Sequence, residues 1–325
     1  MTLPCQLRDR LTLPAMAAPM FLVSGIDLAI ESCKAGIIGS LTRNHCRDNA
    51  EFEDQLRAVN EALKRAQDLD PARRIGPLAA NISVRMPLEE RRGAVEACRR
   101  HNVDLVITAG GDPASIAAEV HAWGGRIFHD VTSLHFAEKA IAAGIDGLIA
   151  IGAGGGGHSG VISHLALVPQ IRAMFDGTIV MAGAIATGAA IRAAEVLGAD
   201  LAYLGTRFIA TKESLAPEEY KALLVSQTAT DLLYTNAING VSAMWMTSSM
   251  RQLGLDPNNL PKATGHNTDH LPPNVKPWKN LWSAGQGVGL IHDIPTVATI
   301  VSRLREEYER ACALPRFTTT IMEFV

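Results

Sequence analysis

Short, continuously apolar runs alternate along this chain with longer stretches whose apolar residues recur at helical spacing. The runs fall near 13–19, 36–40, 76–83, 103–108, 126–131, 146–151, 178–183 and 200–205. Unbroken apolarity, rather than alternation, marks strands of a parallel sheet buried on both faces. Between them lie amphipathic stretches such as 50–67, 87–100, 114–122, 134–143 and 187–197. Several junctions share one grammar, as in Ala143-Gly-Ile-Asp-Gly-Leu-Ile-Ala150 and Leu197-Gly-Ala-Asp-Leu-Ala-Tyr-Leu204. Gly144 and Gly198 there predict helix ends in the left-handed conformation. Eight strands alternating with helices predict an α/β fold, a (β/α)8 TIM barrel. A doubly wound sheet is the runner-up, but it has fewer strands and a phosphate loop after its first.

The rhythm stops between about 213 and 280, where Pro217, Pro261, Pro272, Pro273 and Pro277 accumulate around a helical patch at 218–231. This predicts a mostly helical insertion, 213–280, after strand eight and covering the barrel mouth. The barrel itself then comprises 1–212 and 281–325, with a last helix at about 295–313. The cluster Met244-Trp-Met246 reads equally as lid, subunit contact or core.

Composition narrows the function classes. With 325 residues, 47% hydrophobic and 19% charged, the chain is of ordinary enzyme size. A formal charge of −3 offers no field for a polyanion, so no nucleic-acid partner is expected. Five cysteines, scattered and without CxxC spacing, suit reduced thiols of a cytoplasmic protein and no zinc site. Arg8 and Arg10 precede an apolar run at 11–23 that has the look of a signal peptide. Pro14 and Pro19 break the helix such a signal needs, so a buried first strand is expected. No run approaches the roughly 18 residues that span a membrane.

In such a barrel, ligands bind at the C-terminal ends of the strands. The run Ile151-Gly-Ala-Gly-Gly-Gly-Gly-His-Ser-Gly160 follows strand six and is the most informative of these ends. Each glycine costs about 0.5–1 kcal/mol of order relative to alanine, so the cluster implies backbone held against a flat or phosphorylated ligand. His158 is then aimed at its reactive part, as a neutral imidazole able to take a proton or donate to an anion. Turns at Gly183-Ala184 and Gly205-Thr206, after strands seven and eight, suit a phosphate. Gly152-x-Gly154-x-x-Gly157 matches the dinucleotide fingerprint in spacing, but Ser163 and His164 delay the helix that motif requires. His266 and His270 have metal-like spacing without a third ligand, so no metal is expected. His129 reads as a structural histidine as readily as a mouth residue, His164 as a brace of the glycine loop, and Arg43 as a surface salt bridge more readily than an anion partner.

Taken in order, Ala18-Pro-Met20, Asn81, Gly156-Gly-His158-x-Gly160, Ala182-Gly-Ala184, Gly205-Thr-Arg-Phe208 and Trp282-Ser-Ala-Gly-Gln-Gly-Val-Gly-Leu290 resemble the nitronate monooxygenases, formerly 2-nitropropane dioxygenases. The resemblance spans nearly the whole chain. It implies FMN bound without metal across the top of a TIM barrel. Pro19 and Met20 would lie against the ring, Asn81 would bond its edge, and Gly156 and Gly157 would pass beside it. Gly183, Ala184, Gly205 and Thr206 would cradle the phosphate, Gln286 would help close the site, and His158 matches the active-site histidine. The implied reaction converts an alkyl nitronate or nitroalkane and O2 to a carbonyl compound and nitrite, in an assembly that allows a homodimer. Two departures stand out: Asp130 replaces a lysine that several relatives carry after the histidine ending strand five, and Ala184 replaces a glycine.

Two other readings keep parts of this site. An NAD(P)H-dependent quinone or enoyl-thioester reductase would use the same flavin with another electron donor. A phosphate-binding barrel lyase or isomerase would use none, and a flavin-binding protein would not catalyse.

Overall fold

A computed structural model describes residues 2–315; the expected final stretch of the barrel portion, 316–325, lies outside the described residues. Eight parallel strands form the central sheet: β1 (Ala15–Ala17), β2 (Gly39–Thr42), β3 (Leu78–Ser83), β4 (Leu105–Ala109), β5 (Ile127–Val131), β6 (Gly147–Ile151), then β8 (Thr178–Ala182) and β9 (Leu201–Leu204), with the short β7 (Gly157–His158) outside it. Neighbours run in sequence order, β1 pairs with β9, and the Met16–Ile38 bridge joins the first strand to the second, so the sheet curls into a TIM barrel. Strand two starts three residues later than its apolar run, because Gly36 caps the preceding helix with φ +80° and Ile38 is spent on that bridge.

The helices start and stop as their sequence chemistry requires. Asp48, Ser133, Thr187 and Thr296 accept from backbone N–H groups at helix N-termini. Gly144 and Gly198 take φ +77° and +105° after the helices 134–142 and 188–196. Inside the barrel, Met16, Ile38, Ala79, Leu105, Ile107, Phe128, Ile149, Val180 and Leu201 form one buried cluster. A second and larger cluster lies between the strands and the surrounding helices.

At the N-terminal end of the barrel, three aspartates staple neighbouring strands. Asp104, Asp146 and Asp200 accept from the first N–H of β3 (Leu78, 2.8 Å), the first of β5 (Ile127, 2.8 Å) and the second of β8 (Ile179, 2.9 Å). Each also faces an arginine: Arg10 at 2.5 Å, Arg126 at 3.6 Å and Arg172 at 2.7 Å. The carboxylates satisfy strand-end donors that have no ladder partner.

The segment expected to be a mostly helical insertion is mixed. It holds one helix of nine residues (Glu218–Ser226), a short helix (Thr247–Gln252), and two strands, β10 (Leu232–Thr235) and β11 (Ala243–Met246). β11 pairs antiparallel with both β10 and β7, so the Met/Trp cluster is a buried strand with Trp245 fully enclosed. Short apolar runs of four residues carry no periodicity long enough to separate strand from helix.

Asp200 is 1% exposed and bonds Thr2, Ile179 and Arg172. Replacing it with alanine leaves Arg172 unpaired and lowers the unfolding free energy by about 3–5 kcal/mol. Urea denaturation of Asp200→Ala against the parent protein measures this. A loss below about 1 kcal/mol contradicts the stapling role.

Candidate active site

The barrel interior alternates, so residues two apart share a face. Continuing the apolar interior upward from Met16, Ala79, Phe128, Ile149, Val180 and Leu201 leads to Ala18, Asn81, Asp130, Ile151, Ala182 and Tyr203. These six line the floor of a cavity of about 1470 Å³ at the C-terminal end of the strands. Pockets for single small ligands usually measure about 300–1,000 Å³, so this one has room for a cofactor and a substrate together. Pro19, Met20, Asn81, Gly156, Gly157, His158, Gly183, Ala184, Gly205 and Thr206 all line it.

Gln286 is not among the lining residues. Its side chain is exposed and lies behind Gly154, and its backbone N–H bonds the Gly154 carbonyl at 2.8 Å. Gly285 and Gly287 face the cavity in its place. Arg43 stays outside the cavity and forms the expected salt bridge, to exposed Glu90 at 3.7 Å, but is itself 3% exposed and also bonds Asn49 at 2.6 Å and the Cys46 carbonyl at 2.9 Å. The cations that do line the cavity are Arg85 and Lys139, both exposed.

The glycine loop after β6 owes part of its composition to packing. A Cβ on Gly156 would sit 2.7 Å from the Gly285 nitrogen, and one on Gly183 would sit 2.9 Å from the Gly155 nitrogen. His164 braces the loop from beneath, its Nε2 at 2.7 Å from the Ala182 carbonyl. The helix after this loop starts only at His164, as the reading against a dinucleotide fingerprint expects.

His158 is set in the wall by β7, which pairs with β11 at Ala243. Its ring meets Trp278 edge-on, centroids 5.2 Å apart, and Trp278 leans on Trp245 at 5.0 Å. Trp278 holds φ +62°, a strained conformation for a bulky residue. The Asn239 side chain reaches the imidazole Nε2 at 3.3 Å, while Asn239 Oδ1 accepts from the Val241 N–H at 3.2 Å. That second bond turns the Asn239 amide N–H toward the histidine, so Nε2 accepts and the neutral ring carries its proton on Nδ1. His158 is exposed in the cavity wall, yet partial desolvation by the groups around it and the nearby positive Arg85 push the imidazole pKa down. Asn239 and Trp278 escaped the sequence reading, which had only an Asn-Gly turn and a lone tryptophan to go on.

The remaining polar groups of the cavity behave differently. His129 is buried, bonds Thr108 Oγ1 at 2.8 Å through Nδ1, and is pushed down to about 4 by burial. It is a neutral structural group. The Thr206 hydroxyl accepts from the Gly285 N–H at 2.9 Å, which leaves its own proton to donate. Asp130 Oδ1 is buried without any hydrogen-bond partner, and burial pushes the carboxyl up to about 7. Tyr203, half-buried in the cavity floor, is also pushed up by desolvation and by the field of Asp130.

The Asp130 shift makes stability fall with pH. The folded chain binds this proton more tightly than the unfolded chain, so stability is full below about 4 and declines until the folded group ionises near 7. The ceiling is about 4 kcal/mol for a shift of three units, reduced because part of the side chain opens onto the cavity. Asp130→Asn therefore unfolds at higher denaturant than the parent at pH 8 and no higher at pH 4. Equal differences at both pH values would show that burial does not perturb this carboxyl.

The chain matches the family model for nitronate monooxygenase across residues 8–307. It is 30% identical to a nitronate monooxygenase of Paraburkholderia phytofirmans over 291 residues, covering 77% of this chain and 78% of the relative. The nitroalkane oxidase of Streptomyces ansochromogenes superposes with a TM-score of 0.73 at 25% identity, covering 94% and 98% of the two chains. FabK from Thermotoga maritima shares the fold, with a TM-score of 0.74 at 23% identity over 96% and 97%. Among the described residues, no helix is long and apolar enough to cross a membrane. A match over nearly the full length, together with a barrel and cavity of this construction, means that the chain belongs to the nitronate monooxygenase family of flavin-dependent oxidoreductases.

Proposed function

We propose that this enzyme binds FMN in the barrel-top cavity and oxidises alkyl nitronates with O2 to the carbonyl compound and nitrite. The observation that carries the reading is His158: a neutral imidazole in the cavity wall, its tautomer set by Asn239, facing a cavity with room for two ligands.

The residues present fit the cofactor. Gly183 and Ala184 turn with φ +114° and +58°, bringing a backbone turn to the cavity beside the Thr206 hydroxyl proton. Such turns after the last two barrel strands take phosphate through N–H groups. A Cβ on Gly205 would project between Met20 and Ala18 at ordinary distances of 3.6 and 3.8 Å, so space rather than fold keeps this position bare. At the other end, Asn81 and Asp130 present polar atoms from the floor. Held there by these residues, FMN would supply the electron-accepting and O2-reducing chemistry.

The chain's own residues then have modest tasks. A nitronate is already a carbanion equivalent, so no proton need leave carbon. Arg85, at the cavity, provides the positive field that draws in the anion. The same field helps keep His158 neutral. With Nε2 already accepting from Asn239, His158 offers Nδ1–H to a nitronate oxygen, orienting the substrate. Trp278 and the small sheet wall the site from bulk water. This arrangement favours the nitronate over the neutral nitroalkane, whose deprotonation would need the Nε2 lone pair.

Purified holoenzyme mixed with propionate 3-nitronate under air is expected to release nitrite and consume O2, with slower turnover of neutral nitroethane. Rapid anaerobic flavin reduction by NADH or NADPH, without nitrite from the nitronate, overturns the reading in favour of a reductase. His158→Ala should retain its flavin absorbance and lose about 10- to 150-fold in kcat/KM for the nitronate, the value of one hydrogen bond to a charged group. Unchanged kinetics would remove His158 from the mechanism. Gly205→Val should lose FMN occupancy without lowering the apoprotein melting temperature; full occupancy contradicts the phosphate placement. Gly183 is the poorer probe, since its φ and its contact with Gly155 penalise any side chain.

A further inference from the structure

Asp130 combines three features that structural carboxyls of this chain do not share. It follows Phe128 on the inward face of β5, so it stands in the cavity floor above a fully buried apolar layer. Its Oδ1 is buried and unpartnered. Burial alone raises its proton affinity, with no cation offsetting it.

Its surroundings confirm the isolation. Tyr203, on β9, shares the floor and lies in its field. Asn81, on β3, is engaged with Thr42 at 3.3 Å. His129, next in the chain, is turned to Thr108. Arg85, Asp112, Lys139 and His158 also line the cavity, and Asp130 forms no ion pair among the described residues, burial alone shifting its carboxyl. A buried polar atom without a partner calls for an explanation, and one in a cavity floor is placed for a ligand to complete.

We propose that Asp130 is a flavin-binding residue whose carboxylic acid donates a hydrogen bond from the cavity floor to a ring acceptor, and whose carboxylate form repels the ring. The inference rests on the flavin reading above. Protonation near neutrality, with the carboxyl pushed up to about 7, makes the donor form available under ordinary conditions. The sign follows directly. FMN binds the protonated form, so affinity is full below 7 and falls as pH rises through it, by about tenfold per pH unit at the limit.

The test is titration of flavin-free protein with FMN, read by fluorescence quenching, from about pH 5.5 to about 9. Wild type, Asp130→Asn and Asp130→Leu are compared. Asn keeps a neutral donor, so its profile contains only the pH dependence of FMN and of the rest of the site. The ratio of wild-type to Asn Kd is expected to rise by about tenfold per pH unit above 7. Leu should bind about tenfold more weakly than wild type at pH 6. A flat ratio, or wild-type affinity in the Leu variant, overturns the proposal. Infrared difference spectra of the flavin-free proteins, wild type minus Asn, give a readout independent of flavin. A protonated-carboxyl band present at pH 6 and gone by about pH 9 supports the proposal, and its absence at pH 6 overturns it. Failure of every variant to take up FMN, with that band present, sinks the flavin reading itself. Uptake without the pH-dependent ratio sinks the Asp130 assignment alone.

Discussion

Backbone packed directly on backbone is the constraint on which this site depends. Three segments far apart in the chain meet at the barrel top: the loop after β6, the turn after β8 and the stretch around Gly285. They touch through Gly154, Gly156, Gly183 and Gly285, where a methyl group would come within about 3 Å of a main-chain atom or a neighbouring side chain. The Gln286 N–H to Gly154 carbonyl bond ties two of them together. From the loop held this close, Gly157 turns with φ +66° and brings the strand pair Gly157–His158 against β11. The backbone of His158 therefore owes its place to main-chain packing, and its ring to Trp278 and Asn239. Each glycine costs about 0.5–1 kcal/mol of order, and the contacts it permits are what offset that cost.

Much of the barrel was legible because its signals are local. Apolar runs, amphipathic helices and the glycines at 144 and 198 each speak within a window of a few residues, and the strand ends pointed to ten residues that line one cavity. What escaped depends on long-range pairing. β7 is two residues long and exists only because β11 comes back to it, so neither segment predicts the other. The 213–280 segment read as helical from its patch at 218–231 and its prolines, while its two four-residue strands were too short to show a period. Arg43 read rightly as a salt-bridge residue, met by Glu90, but nothing in its neighbourhood foretold that Asn49 and the Cys46 carbonyl would enclose it. Gln286 stood in the right segment on the wrong side, since the glycines flanking it turn inward and leave it outward. The glycine run itself was read as room for a ligand, and half of that reason turns out to be room for other backbone.

The cavity separates charge by position. Arg85, Lys139 and His158 are exposed along it, whereas His129 and Tyr203, deeper inside, are held toward neutrality by burial. Under the proposed function, an anionic substrate would meet its countercharge in Arg85 and its orientation in a neutral donor. These roles conflict in one residue: an imidazolium would add charge but would be destabilised by Arg85 nearby. Asn239 resolves the remaining ambiguity by claiming one ring nitrogen, which decides which face of the imidazole donates.

The same residue type is treated in opposite ways at the two ends of the barrel, and the contrast separates stability from function. At the N-terminal end, Asp104, Asp146 and Asp200 each hold a strand N–H and face an arginine, so their charge is fully used in holding neighbouring strands together. At the C-terminal end, half-buried Asp130 keeps an oxygen that none of the described residues satisfies. Trp278, in the wall of the same cavity, holds a backbone conformation costing about 1–3 kcal/mol. Such costs are tolerable only because the other end of the fold is so completely satisfied. A stable base lets the top keep groups unsatisfied, and unsatisfied groups are the ones free to bind.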